Sequence, residues 1–414
     1  MANYLTFMLA WLLFFALTFF VAIWSSTPTL AQTQSTSAGI CKSRVEIYGY
    51  KCEEHTVTTK DGYILSLQRI PNGHHSVTMK GKKKKKIPVL LQHGIFMDGI
   101  TFLLNSPENS LGYILADGGY DVWIANSRGT KFSRRHTVLS VNQSEYWDWS
   151  WDELVAYDLP AFYYYVYEHS GQQKIHYVGH SLGTLLALAS FSEMPLIGMT
   201  RSAALICPIA YLNGVRSPIA RIAADSFLAD AYYWLGLNEF NPTSELVKRF
   251  LKIICKQSGS DCYDLVTDFT AYNIAGNNCC LNKSSINVFL EHEPQPTSAK
   301  NVIHMCQMLR TGTIRKFDYG DASTNIKHYG NPHPPVYDMK AIPKDLPLFL
   351  SYGGRDWLSD VEDVKRLLAD LKPHRKMKAR VNYQACYAHG DFVMGINARQ
   401  LVYNPLLSFL KLHI

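Results

Sequence analysis

Gly179-His180-Ser181-Leu182-Gly183 sets a serine between two glycines, each two positions away. That pattern makes a hydroxyl nucleophilic when it sits at the turn from a strand into a helix. Ile175-His176-Tyr177-Val178 reads as the strand, and Thr184-Leu185-Leu186-Ala187 opens the helix. Such a turn strains the serine backbone, and the glycines let neighbouring backbone come close without a Cβ clash. The helix N-terminus then faces the negative charge that develops during attack. The plainer alternative is a helix-capping serine in an ordinary loop.

A serine of this kind needs a base, and an acid that orients the base. In a strand–turn–helix setting the chain order is serine, acid, histidine, each at a strand end. Asp356 follows the apolar run Leu348 to Tyr352 by way of Gly353-Gly354-Arg355. Its rivals Asp360 and Asp363 fall in what reads as the next helix, where a solvated carboxylate is ordinary. Of 15 histidines, only His374, His389 and His413 come after Asp356. His374 lies among lysines and arginines before the last strand, and His413 is the penultimate residue. Position leaves His389, in Tyr387-Ala388-His389-Gly390-Asp391. The oxyanion needs donors as well. The N–H of Leu182 is one, and the N–H of Ile95, in His93-Gly94-Ile95 after the strand Ile87 to Gln92, is the other. His93-Gly94 is also compatible with a plain strand-end turn.

The elements that must position these residues alternate. A hairpin is predicted from His55 to Thr59 and Tyr63 to Ile70, around Lys60-Asp61-Gly62. Strands follow at Ile87 to Gln92, Tyr120 to Ala125, Lys174 to Val178 and Ser202 to Cys207. Helices are predicted at Asn109 to Gly118, at Trp149 to Glu168 with a bend at Pro160, and at Ser181 to Glu193. Uniformly apolar strands separated by helices imply an α/β fold with a mostly parallel sheet covered on both faces. The alternation stops at Pro208, with helical patches at Ser217 to Leu235 and Thr243 to Ile254. It resumes with a strand at Leu346 to Tyr352, a helix at Val361 to Leu371, a strand at Arg380 to Ala385 and a closing helix at Ala398 to Leu412. The expected organisation is a core in two parts, residues 40–207 and 344–414, interrupted by a cap at 208–343.

Composition narrows the class. At 414 residues, 47% hydrophobic and 18% charged, the chain can bury a large core and is not disordered. Lys80 and Lys82 to Lys86 supply nearly all of the net +7, so the rest lacks the basic footprint of a nucleic-acid binder. That run either docks anionic lipid or is simply a solvated loop. An uncharged apolar run from Leu5 to Trp24, then Thr29-Leu30-Ala31, reads as a signal peptide over residues 1–31. An uncleaved anchor at residues 5–24 is the alternative. Either way the protein is expected to enter the secretory pathway, and to be secreted, vacuolar or lysosomal if the leader is cleaved. Asn142 and Asn282 head glycosylation sequons. Cys41 and Cys52 are close enough to staple the mature N-terminus. Cys255, Cys262, Cys279 and Cys280 form a second group expected to hold one or two bridges. No zinc spacing, phosphate loop or cofactor fingerprint is present, so no metal or cofactor is expected.

Four runs together resemble the acid lipase family, which includes gastric, lysosomal and plant triacylglycerol lipases. They are Leu91-Gln92-His93-Gly94, Asp121 to Gly129, Tyr177 to Ser181 and Tyr352 to Asp356. The likeness extends from about Glu54 to Leu410, and Tyr50 to Glu54 with Cys41 looks most like the plant branch. It implies an α/β-hydrolase fold with an inserted helical cap and hydrolysis of carboxylic esters of neutral lipids. It also implies Ser181 as nucleophile, Asp356 as acid, His389 as base, and Ile95 and Leu182 as oxyanion donors. Leu182 stands where the gastric type has glutamine, and the lysine run is unlike the animal enzymes. The implied partners are a lipid ester and a lipid droplet or membrane surface. The amphipathic segment Val215 to Trp234 would line an acyl groove or meet such a surface, unless it only buries an apolar face. A lipid acyltransferase or sterol esterase shares the same acyl-enzyme chemistry. A catalytically idle lipid-binding protein is the rival from another class.

Overall fold

The computed structural model describes residues 39–74, 85–245, 247–248, 275–372 and 379–414. The leader, Lys80 and Lys82 to Lys84, most of the helix expected at Thr243 to Ile254, His374, Cys255 and Cys262 lie outside them.

The Asp61-Gly62 turn joins β1 (Glu53–Thr58) to β2 (Tyr63–Ile70) as the expected antiparallel hairpin. There follow β3 (Pro88–Gln92), β4 (Asp121–Ala125), a short β5 (Arg135–His136), β6 (Ile175–His180) and β7 (Thr200–Ile206). A two-residue pair, β8 (Glu239–Phe240) and β9 (Thr297–Ser298), precedes β10 (Leu348–Gly353) and β11 (Ala379–Gln384). The main sheet runs β1-β2-β4-β3-β6-β7-β10-β11, with β5 beside β2. From β4 to β11 every pairing is parallel. The strands that precede the candidate site residues therefore all point the same way, and their C-terminal ends share one edge, where ligands bind in such sheets.

Helices α1 (Leu111–Asp117), α2 (Leu159–His169) and α3 (Leu182–Glu193) fill the crossovers. Between β7 and β10 come α4 (Pro218–Asp225), α5 (Leu228–Trp234), α6 (Lys283–His292), α7 (Ala299–Thr311) and α8 (Ala322–Tyr329). Last are α9 (Val361–Asp370) and α10 (Asn404–Lys411). Strand side chains alternate between two cores. Leu90, Trp123, Tyr177 and Leu350 meet α2, α3 and α9 on one face. Leu91, Val122, Val178 and Phe349 meet α1 and α10 on the other. That is why these strands read as unbroken apolar runs.

The run from Trp149 to Glu168 is not one α-helix bent at Pro160. Leu154–Asp158 is a π turn, with the Leu159 N–H donating to the Leu154 carbonyl. Pro160 then sits in the first turn of α2, where a missing N–H costs little. The amphipathic segment Val215 to Trp234 likewise divides, into α4 and α5, and both pack on α7. Phe227 and Trp234 stay exposed. The staple Cys41–Cys52 is formed, with Cα atoms 5.4 Å apart. Cys279 bonds to its neighbour Cys280, and Cys207, Cys306 and Cys386 are free thiols. Among the described residues no helix is long and apolar enough to cross a membrane.

Arg128, just after β4, is fully buried. Its Nε donates to Asp158 Oδ1 at 2.7 Å and its backbone N–H to Asp158 Oδ2 at 3.0 Å. Nη1 reaches Asp61 at 2.7 Å, and the guanidinium lies 3.8 Å above the Tyr63 ring centre. One side chain thereby ties β4 to the hairpin and to the start of α2. Asp158→Ala leaves the buried guanidinium with Asp61 alone and strands its Nε and the Arg128 backbone N–H. It is expected to cost about 3–5 kcal/mol, read as a lower denaturant midpoint with an unchanged slope.

Candidate active site

β6 ends at His180 and α3 begins at Leu182, so Ser181 alone makes the turn. Its φ of 54° and ψ of −121° are strained for an L-residue. The Ser181 N–H donates to the Ile206 carbonyl at 3.0 Å, and its own carbonyl accepts from Thr184 N–H at 2.8 Å and Thr184 Oγ1 at 2.6 Å. The side chain makes no capping bond to the helix, which separates Ser181 from an ordinary capping serine. Close approach explains two glycines. A Cβ on Gly183 would lie 2.4 Å from the Gln92 carbonyl oxygen, and one on Gly94 would lie 2.8 Å from Ser181 Cβ. The loop after β3 therefore rests directly on the elbow.

His389 follows β11, and Asp356 follows β10. His389 Nδ1 and Asp356 Oδ2 are 2.8 Å apart, with both side chains buried. Asp356 Oδ1 accepts the N–H groups of Leu358 and Ser359 at 2.9 and 2.8 Å. With both oxygens of Asp356 accepting, the proton of the shared bond belongs on His389 Nδ1, and Nε2 keeps a free lone pair. The His389 ring centre is 5.0 Å from that of His180, the residue before Ser181. Burial holds His180 well below the ordinary imidazole pKa, so it puts no positive charge beside His389. The rivals have other duties. Asp360 caps α9 through the Glu362 N–H and pairs with Arg216, while Asp363 accepts the Gly214 N–H.

The Asn126-Ser127-Arg128 run, part of the family likeness, acts locally. Asn126 Oδ1 accepts the Gly99 N–H at 2.9 Å. The Ser127 N–H donates to His93 Nε2 at 3.0 Å, so the proton of this imidazole is on Nδ1, which donates to the Gly94 carbonyl at 2.8 Å. Burial pushes His93 down to about 4 despite that bond, so the arrangement persists in its neutral form. With the Gly94 carbonyl fixed, the trans peptide fixes the direction of the Ile95 N–H. Asp391 has a role that the sequence did not suggest. It accepts from Ala388, Cys279 and Cys280 N–H groups and so braces the His389 loop. These roles rest on contacts between distant segments, which no local pattern signals.

Cys207 Sγ, an Asp356 oxygen and a His389 nitrogen lie within 4.8 Å of one another, a set that could take a metal. The Asp356 oxygens are already engaged, and burial, with the nearby Asp356 charge, holds the Cys207 thiol protonated. A cavity of about 510 Å³, lined by residues such as Trp234, Lys300, His304 and Arg315, contains none of the candidate catalytic residues. Asn142 is exposed. Asn282 is half-buried and caps α6 through the Ser284 N–H.

Residues 41–106 match a family described as a partial alpha/beta-hydrolase lipase region, and 87–197 match the alpha/beta hydrolase fold. The chain is 52% identical over 378 residues to triacylglycerol lipase 2 of Arabidopsis thaliana, covering 91% of this chain and 89% of that one. It is 35% identical to lysosomal acid lipase/cholesteryl ester hydrolase of Rattus norvegicus, covering 88% and 89%. A monoglyceride lipase from Saccharomyces cerevisiae, solved with a substrate analog, superposes with a TM-score of 0.54 at 14% identity. That match covers 94% of this chain and 99% of the yeast chain, and it speaks for the fold alone. With its strand–serine–helix elbow, its parallel sheet and its identity to these lipases along most of its length, the chain belongs to the acid lipase family of α/β-hydrolases, which are carboxylic ester hydrolases.

Proposed function

We propose that this protein is a secretory-pathway serine lipase that hydrolyses carboxylic esters of neutral lipids, of the triacylglycerol type, through an acyl-enzyme. The observation that carries this is the buried 2.8 Å bond between Asp356 and His389 beside the Ser181 elbow. Ser181 Oγ attacks the ester carbonyl while His389 Nε2 takes its proton. The N–H groups of Leu182 and Ile95 hold the oxyanion. His389 then protonates the leaving alcohol, and water repeats the cycle on the acyl-enzyme. Asp356 holds the tautomer and stabilises the imidazolium.

Residues 208–343 act as the cap. Support comes from Phe96, next to Ile95, whose ring lies 5.6 Å from that of Phe240 in β8. The Arabidopsis relative is named for triacylglycerol and the rat relative for cholesteryl ester, so acylglycerols and sterol esters are the substrates to compare. The apolar leader, the sequons Asn142 and Asn282, and the Cys41–Cys52 bridge support a secreted, vacuolar or lysosomal location and glycosylation. A droplet or membrane surface is the corresponding partner. The test is fatty acid release from emulsified long-chain triacylglycerol by purified protein, against a Ser181→Ala blank. No release above the blank at any pH, from folded protein, overturns the triacylglycerol assignment.

His93 acts here as a positioning residue. His93→Ala strands the Gly94 carbonyl and the Ser127 N–H and lets the Ile95 peptide turn. Loss of one oxyanion donor typically costs about 10²–10³ in kcat. Misplacing one is expected to cost about 10–100-fold in kcat on a soluble ester, with KM little changed. A change in KM alone would assign His93 to substrate binding instead.

A further inference from the structure

The loop that carries Ile95 is tied to the segment after α6 by two bonds from backbone N–H groups. The Asp98 N–H donates to Glu293 Oε1 at 2.9 Å, and the Gln295 N–H donates to the Phe96 carbonyl at 2.7 Å. Between these ties sit two acids. Asp98 is 0% exposed and Glu293 3%. Asp98 Oδ1 is taken by the Ile100 N–H at 2.8 Å. The remaining oxygens, Asp98 Oδ2 and Glu293 Oε2, receive no donor from any described residue. The Asp98 N–H bond holds the Glu293 carboxyl beside the Asp98 side chain, and each group acts on the other's ionisation. Carboxylates in contact and out of water cannot both be ionised, so the pair shares a proton, as paired carboxyls elsewhere do.

We propose that Asp98 and Glu293 are positioning residues, a proton-sharing clamp that holds the oxyanion loop against the cap and releases it when the proton is lost. The proposal rests on the reading of Ile95 as an oxyanion donor. With one proton, the pair bridges the loop to the Glu293–Gln295 segment. Without it, two charges meet in a buried site, the loop is pushed off that segment, and the Ile95 N–H leaves its place beside Ser181.

The surroundings set the direction. Lys131, from the stretch after β4, draws Asp98 toward ionisation, as do the Ile100 N–H and the neighbouring Glu293. Burial outweighs them and raises Asp98 to about 6. Burial, then the Asp98 charge, raises Glu293 well above the usual carboxylate range, against the hydrogen bonds from the Asp98 N–H and Gln295. His292, the residue before Glu293, adds no compensating cation, because burial first, then Arg44 and Lys131, hold it down against the nearby Glu291. Both acids bind their proton more tightly folded than unfolded. The stability they lend is full below the ordinary carboxylate range, falls as Asp98 ionises through about 6, and is lost at higher pH as Glu293 gives up the shared proton. The clamp therefore favours acidic conditions.

The test is the pH profile of kcat/KM on a soluble short-chain ester for wild type, Glu293→Gln and Asp98→Asn, each blanked with Ser181→Ala. Either amide can donate to the remaining carboxylate without a shared proton. The wild type is expected to lose activity on the alkaline side, and both variants to carry that limb upward by at least one pH unit, about tenfold at a fixed pH on the limb. Amide exchange at Ile95 to Ile100, corrected for its intrinsic pH dependence, should quicken with pH in the wild type and stay flat in the variants. Exchange decides between the two outcomes even where a variant is too weak to assay. Alkaline limbs that coincide, with Ser181→Ala inactive, overturn the clamp alone. Activity that survives Ser181→Ala overturns the site reading beneath it.

Discussion

Ser181→Ala is expected to lower kcat for ester hydrolysis by about 10⁶-fold, or about 8 kcal/mol of barrier, as when the serine of a comparable triad is removed. Its fold should be untouched. The Oγ makes no capping bond to α3, while the bonds that set the elbow run through the Ser181 backbone and Thr184. Alanine keeps the same strained φ and the same Cβ against Gly94, so the thermal midpoint should match the wild type. No neighbouring group can replace the hydroxyl. Cys207 is nearest in kind, but burial and the Asp356 charge keep its sulfur as a thiol, not a thiolate. Residual turnover of several per cent, in protein free of wild type, would move the nucleophile away from Ser181. Loss of turnover with loss of the thermal midpoint would make the serine structural.

The sheet and the candidate triad were legible in the sequence for related reasons. Parallel strands buried on both faces must be apolar throughout, so Val89 to Leu91 and Leu348 to Leu350 stand out. Their ends converge, so residue types just beyond them can be matched by order alone. The stretch between β7 and β10 was harder. α7 and α8 do carry local signals, Ser298 and Gly312 bounding one and Asp321 and Gly330 the other. Their apolar faces, however, are broken by residues such as Lys300 and Asn325, buried because they find polar partners elsewhere. Asp98 and Glu293 were the least legible. Neither stands in a local pattern that sets it apart, and only a contact spanning 195 residues makes them a pair. The bend expected at Pro160 became a π turn before it, because a proline fits the first turn of a new helix as well as it breaks an old one.

Asp356→Asn separates the acid from its rivals without unfolding the loop. In the wild type, Oδ1 is held by two N–H donors, Leu358 and Ser359, and Oδ2 faces His389 Nδ1. An asparagine has one oxygen, and the two backbone donors claim it. Its NH₂ group must then face His389 Nδ1, which has to accept. The imidazole proton moves to Nε2, the atom that should take the serine proton, and the base is blocked. A fall in kcat of about 10⁴ is expected, the usual cost of this wrong tautomer. The two backbone bonds survive, so stability should change little. Asp360→Asn is the control. An asparagine oxygen can still cap α9 by accepting the Glu362 N–H, and what is lost is a pairing with half-exposed Arg216, worth at most about 1 kcal/mol. If Asp360→Asn proved the more damaging to kcat, the acid would belong four residues further along the chain, and the Asp356–His389 bond would be a buried structural tie.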